Sequence, residues 1–486
     1  MKRALVLPDD RLAGLPPTVR KIAAAAQQAG GRAFLVGGFV RDTVRSLNDG
    51  QTGGTGECEF DLEIYGLPPE QLALLLRRFG SVNLVGESFA VYKVTPRGPD
   101  AANEGAIEID VSLPRRDQRT GRGHRGFAVE GDPQLSIEEA ARRRDFTVNA
   151  LLLDPLTGEV LDPWGGLGDL ENRVLRAVDP DTFAEDSLRV LRGMQFAARL
   201  GFSFDDATVS LCRSLPLDDL PGERVWGEME KLLMKAARPS IGLDWGLRLG
   251  AIQRLFPELY ATVGCPQEKE WHPEGDVWIH TLLAIDRARI EAAGLPYAKE
   301  ATVMLAVLCH DFGKPSTTAV VEGRIRSFEH EEAGIPPTVS FLDRLKIHTL
   351  DGYDVRAQVI ALVGAHLAPS HLYKNRDNVG DGAFRRLARK LEPELLYRVS
   401  RADCLGRTGD FATDAQEWFI AKVRALGVEE KPPKPILMGR HLLEMGLRPG
   451  PEIGRIARAI YEMQLDGRVI DLEGALQVAR GMLDPK

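Results

Sequence analysis

The sequence predicts an α+β fold, with an α/β head followed by a mostly α-helical remainder. Three observations predict it. From about residue 20 to 165, short strand-like runs alternate with helical ones. Beyond about residue 180 strand signals almost vanish, and segments 184–200, 278–293 and 301–310 carry helical periodicity. At 486 residues, the chain is too long for a single hydrophobic core. The chain is expected to divide into a head over 20–170, a helical neck over 171–240, a helical body over 241–430 and a small helical tail over 431–486. The Pro-rich stretch 431–435 separates the tail from the body.

Hydrophobic residues make up 44% of the sequence, as in a folded, soluble protein. No stretch approaches the roughly 20 apolar residues that span a bilayer. The apolar run at the N-terminus is too short for a signal peptide, so a cytoplasmic protein with no membrane partner is expected. The five cysteines (Cys58, Cys212, Cys265, Cys309, Cys404) are scattered and form no CxxC pair, which argues for reduced thiols. A net charge of −8 offers no global footprint for a phosphate backbone, so any nucleic-acid site is local. The candidate is the basic run of Arg115, Arg116, Arg119, Arg122 and Arg125, followed by Arg142, Arg143 and Arg144.

The head carries two acidic strands. In segment 59–65 the apolar Phe60, Leu62 and Ile64 alternate with Glu59, Asp61 and Glu63, so the three carboxylates share one face. Side chains two apart on a strand lie about 7 Å apart at the backbone and can converge on shared cations. Segment 107–113 repeats the pattern with Glu108 and Asp110. Either strand alone reads equally as an amphipathic strand with solvated acids. Upstream, an apolar strand runs into Gly37 and Gly38 and then into a helix start bearing Arg41 and Asp42. Bare backbone N–H groups at a helix N-terminus can meet a triphosphate.

Phe34-Leu-Val-Gly-Gly-Phe-Val-Arg-Asp42 followed by Glu59-Phe-Asp-Leu-Glu-Ile-Tyr-Gly66 resembles the core of the bacterial tRNA nucleotidyltransferase and poly(A) polymerase family, class II. The resemblance implies a polymerase-β-like nucleotidyltransferase head. The family's first two metal carboxylates read Asp-x-Asp and map onto Glu59 and Asp61, with Glu in place of the first Asp. Glu63 competes with Glu59 for that role. The third carboxylate maps onto Asp110, and the implied cofactor is Mg²⁺. Arg144-Asp-Phe-Thr-Val-Asn-Ala150 resembles a further family motif, which implies that Arg144, Asp145 and Asn149 bind the incoming nucleotide together with Gly37, Gly38, Arg41 and Asp42.

Glu185-Asp-Ser-Leu-Arg-Val-Leu-Arg192 matches the family's EDxxRxxR motif. Asp186, Arg189 and Arg192 are three apart and form a polar stripe on one helical face. An aspartate accepts and an arginine donates in a fixed fork, so the pair Asp186 and Arg189 can imitate the pairing edge of a template base. The Arg-rich segment would be the family's flexible loop for switching from C to A addition.

In the body, His280, His310-Asp311 and Asp403 resemble the H…HD…D ligand pattern of HD phosphohydrolases, and His330 and His366 are further ligands or substrate contacts. Mixed imidazole and carboxylate donors suit Mg, Mn, Fe, Ni or Zn. The tail from Met438 to Glu452 resembles the C-terminal element of bacterial family members and is expected to contact tRNA.

The expected function is template-independent addition of CCA, or of its terminal A, to tRNA from CTP and ATP by two-metal catalysis. A poly(A) polymerase, or an HD phosphohydrolase with an RNA-binding head, is the alternative. The sequence leaves the oligomeric state open.

Overall fold

The protein is described by a computed structural model covering residues 5–49, 59–85, 91–97, 107–119 and 127–483. The chain forms two compact units, Met1–Leu220 with Arg248–Ala251, and Pro221–Leu247 with Ile252–Lys486.

The first unit is built on a mixed sheet. Its strands are β1 (Leu5–Val6), β2 (Arg32–Val36), β3 (Phe60–Tyr65), β4 (Gly80–Val85), β5 (Val91–Pro96) and β6 (Ile109–Ser112). A separate hairpin, β7 (Arg115–Arg119) and β8 (Phe127–Gly131), follows before β9 (Leu152–Leu153) and β10 (Glu159–Leu161) return to the sheet. The spatial order is β1-β10-β9-β2-β3-β6-β5-β4. Only β3 and β6 run parallel among these neighbours, so the chain between them must cross over, and the helix Pro69–Leu76 with β4 and β5 makes that crossing. The register aligns Val36 with Asp61, Asp61 with Asp110, and Asp110 with Lys93 across four strands.

The helix Pro17–Gln28 buries Val19, Ile22, Ala23 and Ala26 and packs on β2. Pro17 suits its first turn, where the missing N–H has no helical partner to lose. Phe34, Val36, Tyr65, Ala140, Leu152 and Val178 form one core cluster of this unit. Around Phe146 a second apolar cluster gathers Phe183, Phe196 and Phe204 edge-on, at centroid distances of 5.5, 6.1 and 6.1 Å. A Cβ on Gly193 would lie 2.7 Å from the Phe204 ring, so only glycine admits this approach.

The second unit is helical. The helix Tyr297–Cys309 buries every residue from Ala301 to Cys309, and packs against Val277–Glu291, Val355–Val363 and Pro393–Leu405. A helix apolar all round has to be central. The tail helices Gly439–Glu444, Pro451–Leu465 and Leu472–Leu483 share a core of Leu442, Ile456, Ile460 and Ala475. No helix among the described residues is long and apolar enough to cross a membrane. Cys212, Cys265, Cys309 and Cys404 are free thiols, while Cys58 lies outside the described residues.

Three expectations are corrected. The helix expected over 184–200 begins only at Leu188, so Asp186 precedes it. Its carboxylate accepts from the Leu188 N–H at 3.1 Å, a local bond that competes with helix formation. The strand expected over 107–113 is confined to Ile109–Ser112, which leaves Glu108 outside it. The Arg-rich segment, expected as a loop, is a strand over Arg115–Arg119, paired with β8 from Arg115–Gly131 to Arg119–Phe127, and residues 120–126 lie outside the described residues. The helical body also contains a hairpin, Thr318–Val321 with Arg324–Ser327, turned by Glu322 and Gly323 in the left-handed region.

Candidate active site

In the head, the register places Asp61 and Asp110 side by side on the two parallel strands, at the end where β2 passes into Gly37. Gly37 has φ 76° and ψ −142°, a conformation open to glycine and few others. A Cβ there would stand 3.2 Å from the Asp61 carboxylate. The turn thus lets bare backbone and the first turn of the helix Gly38–Asn48 lie against the acid.

The three carboxylates of the first acidic strand differ in depth. Glu59 is exposed, Asp61 half-buried and Glu63 buried. Glu63 accepts from the Tyr65 hydroxyl at 2.7 Å and pairs with Arg143 at 3.3 Å and Arg144 at 3.9 Å. Burial raises the Asp61 pKa, Arg144 opposes that, and Asp110, Glu59 and Glu63 add to it. A half-buried carboxylate made less acidic by three others is a cluster that a cation relieves. The residues present therefore fit a divalent metal. Lys93, opposite Asp110 on β5, already supplies one positive charge, 3.0 Å from Glu108 and 3.4 Å from Asp110.

Beside this cluster a polar chain crosses the unit. Arg41, buried, pairs with Asp42 at 2.8 Å and donates to Asn149 Oδ1 at 2.9 Å. Asn149 in turn donates to Asp145 Oδ1 at 2.9 Å, and Arg192 Nε donates to Asp145 Oδ2 at 2.7 Å. Burial would raise the Asp145 pKa, but the Arg192 cation and these donors outweigh it and hold it low. Phe146, seated among its aromatic partners, fixes the turn that aims Asp145 and Asn149. Arg144 donates to the Asn149 carbonyl.

Arg189 donates to the carbonyls of Thr182 and Arg143, the latter at 2.6 Å. Two of its five donors are thereby used to set its orientation. Arg116 pairs with Asp132 at 3.0 Å. Arg115 and Arg119 begin and end β7, and Arg122 and Arg125 lie outside the described residues.

In the second unit, His280 Nε2 lies 3.1 Å from Asp403 and 3.3 Å from His310 Nε2, and His310 Nε2 lies 3.2 Å from Asp311. His330 and His366 join from the other side of Asp311, with Nε2 atoms 3.3 Å apart and His330 3.5 Å from Asp311 Oδ1. Five of these six side chains are almost fully buried and His330 nearly so. Burial opposes a charge on His310, but Asp311 beside it shifts its pKa upward. Burial pushes His366 down to about 3.

Sequence reasoning missed three residues here and in the head. Glu274 accepts from the Nδ1 atoms of His272 (3.0 Å) and His280 (2.8 Å). Lys314 lies 2.8 Å from Asp311. Lys93 in the head is paired through a register that no local pattern displays. For Glu274, its place six residues before His280 was the one available signal.

Residues 33–176 match the model of the poly A polymerase head domain, so the first unit is a nucleotidyltransferase head. The chain is 35% identical over 432 residues to the "Multifunctional CCA protein" of Xanthomonas campestris pv. campestris, covering 87% of this chain and 95% of that protein. The chain belongs to this family of multifunctional CCA proteins. Its fold is also that of a CCA-adding enzyme solved with CTP (TM-score 0.64, 19% identity, 100% of both chains) and of the Thermotoga maritima CCA-adding enzyme complexed with tRNA (TM-score 0.60, 18% identity, 100% of both chains).

Proposed function

We propose that the protein is a template-independent tRNA nucleotidyltransferase that adds CCA to tRNA 3′ ends from CTP and ATP, releasing pyrophosphate. The observation that carries this reading is the register of Asp61 beside Asp110 at the Gly37 turn, in a chain of this family. Asp61 and Asp110 hold Mg²⁺ from adjacent strands, and Glu59 is the third ligand, since Glu63 is committed to Tyr65, Arg143 and Arg144. Mg²⁺ there supplies Lewis-acid activation of the RNA 3′-hydroxyl and neutralises the leaving pyrophosphate. The Gly38 helix start, with Gly37, offers N–H groups to the triphosphate. Arg41, Asp42, Arg144, Asp145 and Asn149 bind ribose and phosphates, and their mutual bonds pre-set that geometry.

Arg189, oriented by its two carbonyls, and Asp186 present the edge that selects the base, and Arg192 acts through Asp145. The hairpin arginines and the tail contact tRNA. The His/Asp cluster is a divalent-cation centre acting on phosphate esters, with Ni, Mn, Fe and Zn all compatible with its donors. The setting is the cytoplasm.

The test is incorporation of labelled CTP and ATP, with Mg²⁺, into tRNA transcripts ending before CCA, after C and after CC. Addition of both nucleotides to the shortest transcript is expected. ATP addition to the CC-ended transcript alone would make the enzyme an A-adding specialist, and no incorporation would overturn the reading.

A further inference from the structure

Arg189 is aimed by two helix ends. The last carbonyls of a helix have no partner within it, and cations commonly satisfy them. The helix Ile137–Arg142 ends at Arg143, whose carbonyl accepts from Arg189 Nη2 at 2.6 Å, and the short helix Pro180–Phe183 offers the Thr182 carbonyl to Nη1. The two ends are also tied to each other. Arg142 Nε donates to Asp179 at 3.0 Å, and the Thr182 hydroxyl donates to the Arg142 carbonyl at 2.9 Å. Where the turn at 142–143 sits therefore decides where Arg189 points.

That turn is held from the strand of Asp61. Arg143 Nη2 donates to Glu63 Oε1 at 3.3 Å, while the Tyr65 hydroxyl donates to Oε2 at 2.7 Å and Arg144 lies 3.9 Å from the same oxygen. Glu63 follows Asp61 by two residues on β3, so the two carboxylates share a face of the strand. The Glu63 side chain is 2% exposed and that of Arg143 18%. Apolar residues of similar volume often serve a fold as well as a buried ion pair does. What the pair adds is direction, because it fixes the turn at one place along the strand.

We propose that Glu63 is a positioning residue for base selection. Through Arg143 it fixes the turn that aims Arg189, so the strand carrying Asp61 also sets how strictly one base is chosen over another. This rests on the reading of Arg189 as a base-selecting residue and deepens it, because a guanidinium fork discriminates only while it is held in one orientation. Glu63 also lies near Arg144, but ribose and phosphates are common to every nucleotide, so an effect through Arg144 cancels when two nucleotides are compared.

In the full-length chain, kcat/KM for CTP and for UTP is measured with Mg²⁺ on a tRNA transcript ending before CCA. Glu63→Gln keeps an acceptor for Tyr65 but drops the charge that holds Arg143. Arg143→Met drops the cation and keeps the main-chain carbonyl. Each should lower the preference for CTP by about tenfold, the size of one lost orienting hydrogen bond. The double variant should lose no more than either alone, since both break the same link. Arg143→Lys, which keeps the cation, should recover part of the preference. General loosening of the fold lowers both rates together and leaves their ratio unchanged. Losses that multiply in the double variant would overturn the positioning role, as would an unchanged ratio in both single variants while Arg189→Met lowers it; Arg189 would then keep its part. An unchanged ratio in Arg189→Met would instead overturn the reading of Arg189, and the proposal with it. Should Glu63→Gln fail to fold by circular dichroism, Arg143→Met and Arg143→Lys decide alone.

Discussion

The head and the helical unit both gather acids that invite a cation, but they do so in opposite media. Around Asp61 the donors are all oxygens, the outermost of them is exposed, and Lys93 already lends a positive charge. Around Asp311 the donors are imidazoles and carboxylates almost wholly out of water. Hard oxygen donors at an open surface suit an ion that arrives with its substrate, while buried nitrogen donors suit a resident one. On that chemistry the two sites would differ in the exchange rate of their ion as much as in its identity.

The comparison breaks most visibly with Asp61→Ala. Nucleotide incorporation should fall by about 10³-fold or more, several kcal/mol of transition-state stabilisation, while metal bound in the helical unit stays unchanged. Equal loss from both sites would show them to be coupled. A chelator sharpens the contrast. Brief exposure followed by added Mg²⁺ should restore incorporation fully, whereas metal analysis should find the buried ions still in place.

Next in size is Arg192→Met, which leaves Asp145 buried without its cation. A loss of about 2–3 kcal/mol is expected, below the usual cost for a fully buried pair because Arg192 is partly exposed. Chemical denaturation at neutral pH measures it. The loss should depend on pH in one direction. Since the folded state lowers the Asp145 pKa, its contribution is complete above the ordinary carboxylate value of about 4 and disappears as pH falls through the lowered one. Wild type and variant should therefore converge in acid. Smaller still is Gly37→Ala, with a cost of roughly 1–3 kcal/mol from the backbone conformation alone. Its Cβ also crowds Asp61, so the Mg²⁺ concentration needed for half-maximal incorporation should rise more than thermal stability falls.

Much of both sites was legible because it is written in short, local patterns. The alternation through Glu59, Asp61 and Glu63 needs only a strand's two-residue period, and Gly37 and Gly38 announce their turn. The apolar run Met304–Cys309 within the helix Tyr297–Cys309 predicts its own burial. What the sequence concealed depends on distance along the chain. Lys93 meets Asp110 only through a strand register, and Glu274 meets His280 through a non-helical approach to the helix Val277–Glu291. The hairpin of β7 and β8 was hidden by its charges, which fit a solvated strand as well as a loop. Asp186 was misread because an i,i+3 spacing describes a helix and the Asx turn preceding one alike.

The depth series along β3 has a consequence for how this strand tolerates change. Glu59, Asp61 and Glu63 are chemically near-identical, yet Glu59 is exposed, Asp61 is half-buried beside Asp110, and Glu63 is buried against two fixed guanidiniums. An interchange of Asp and Glu at 59 would change the reach of an exposed ligand, at 61 it would move the proposed metal position, and at 63 it would pull the carboxylate away from Arg143 and Arg144. The tolerance of the strand should narrow one residue pair at a time from its open end inward, so that the Glu found at position 59 stands where a longer acid costs least.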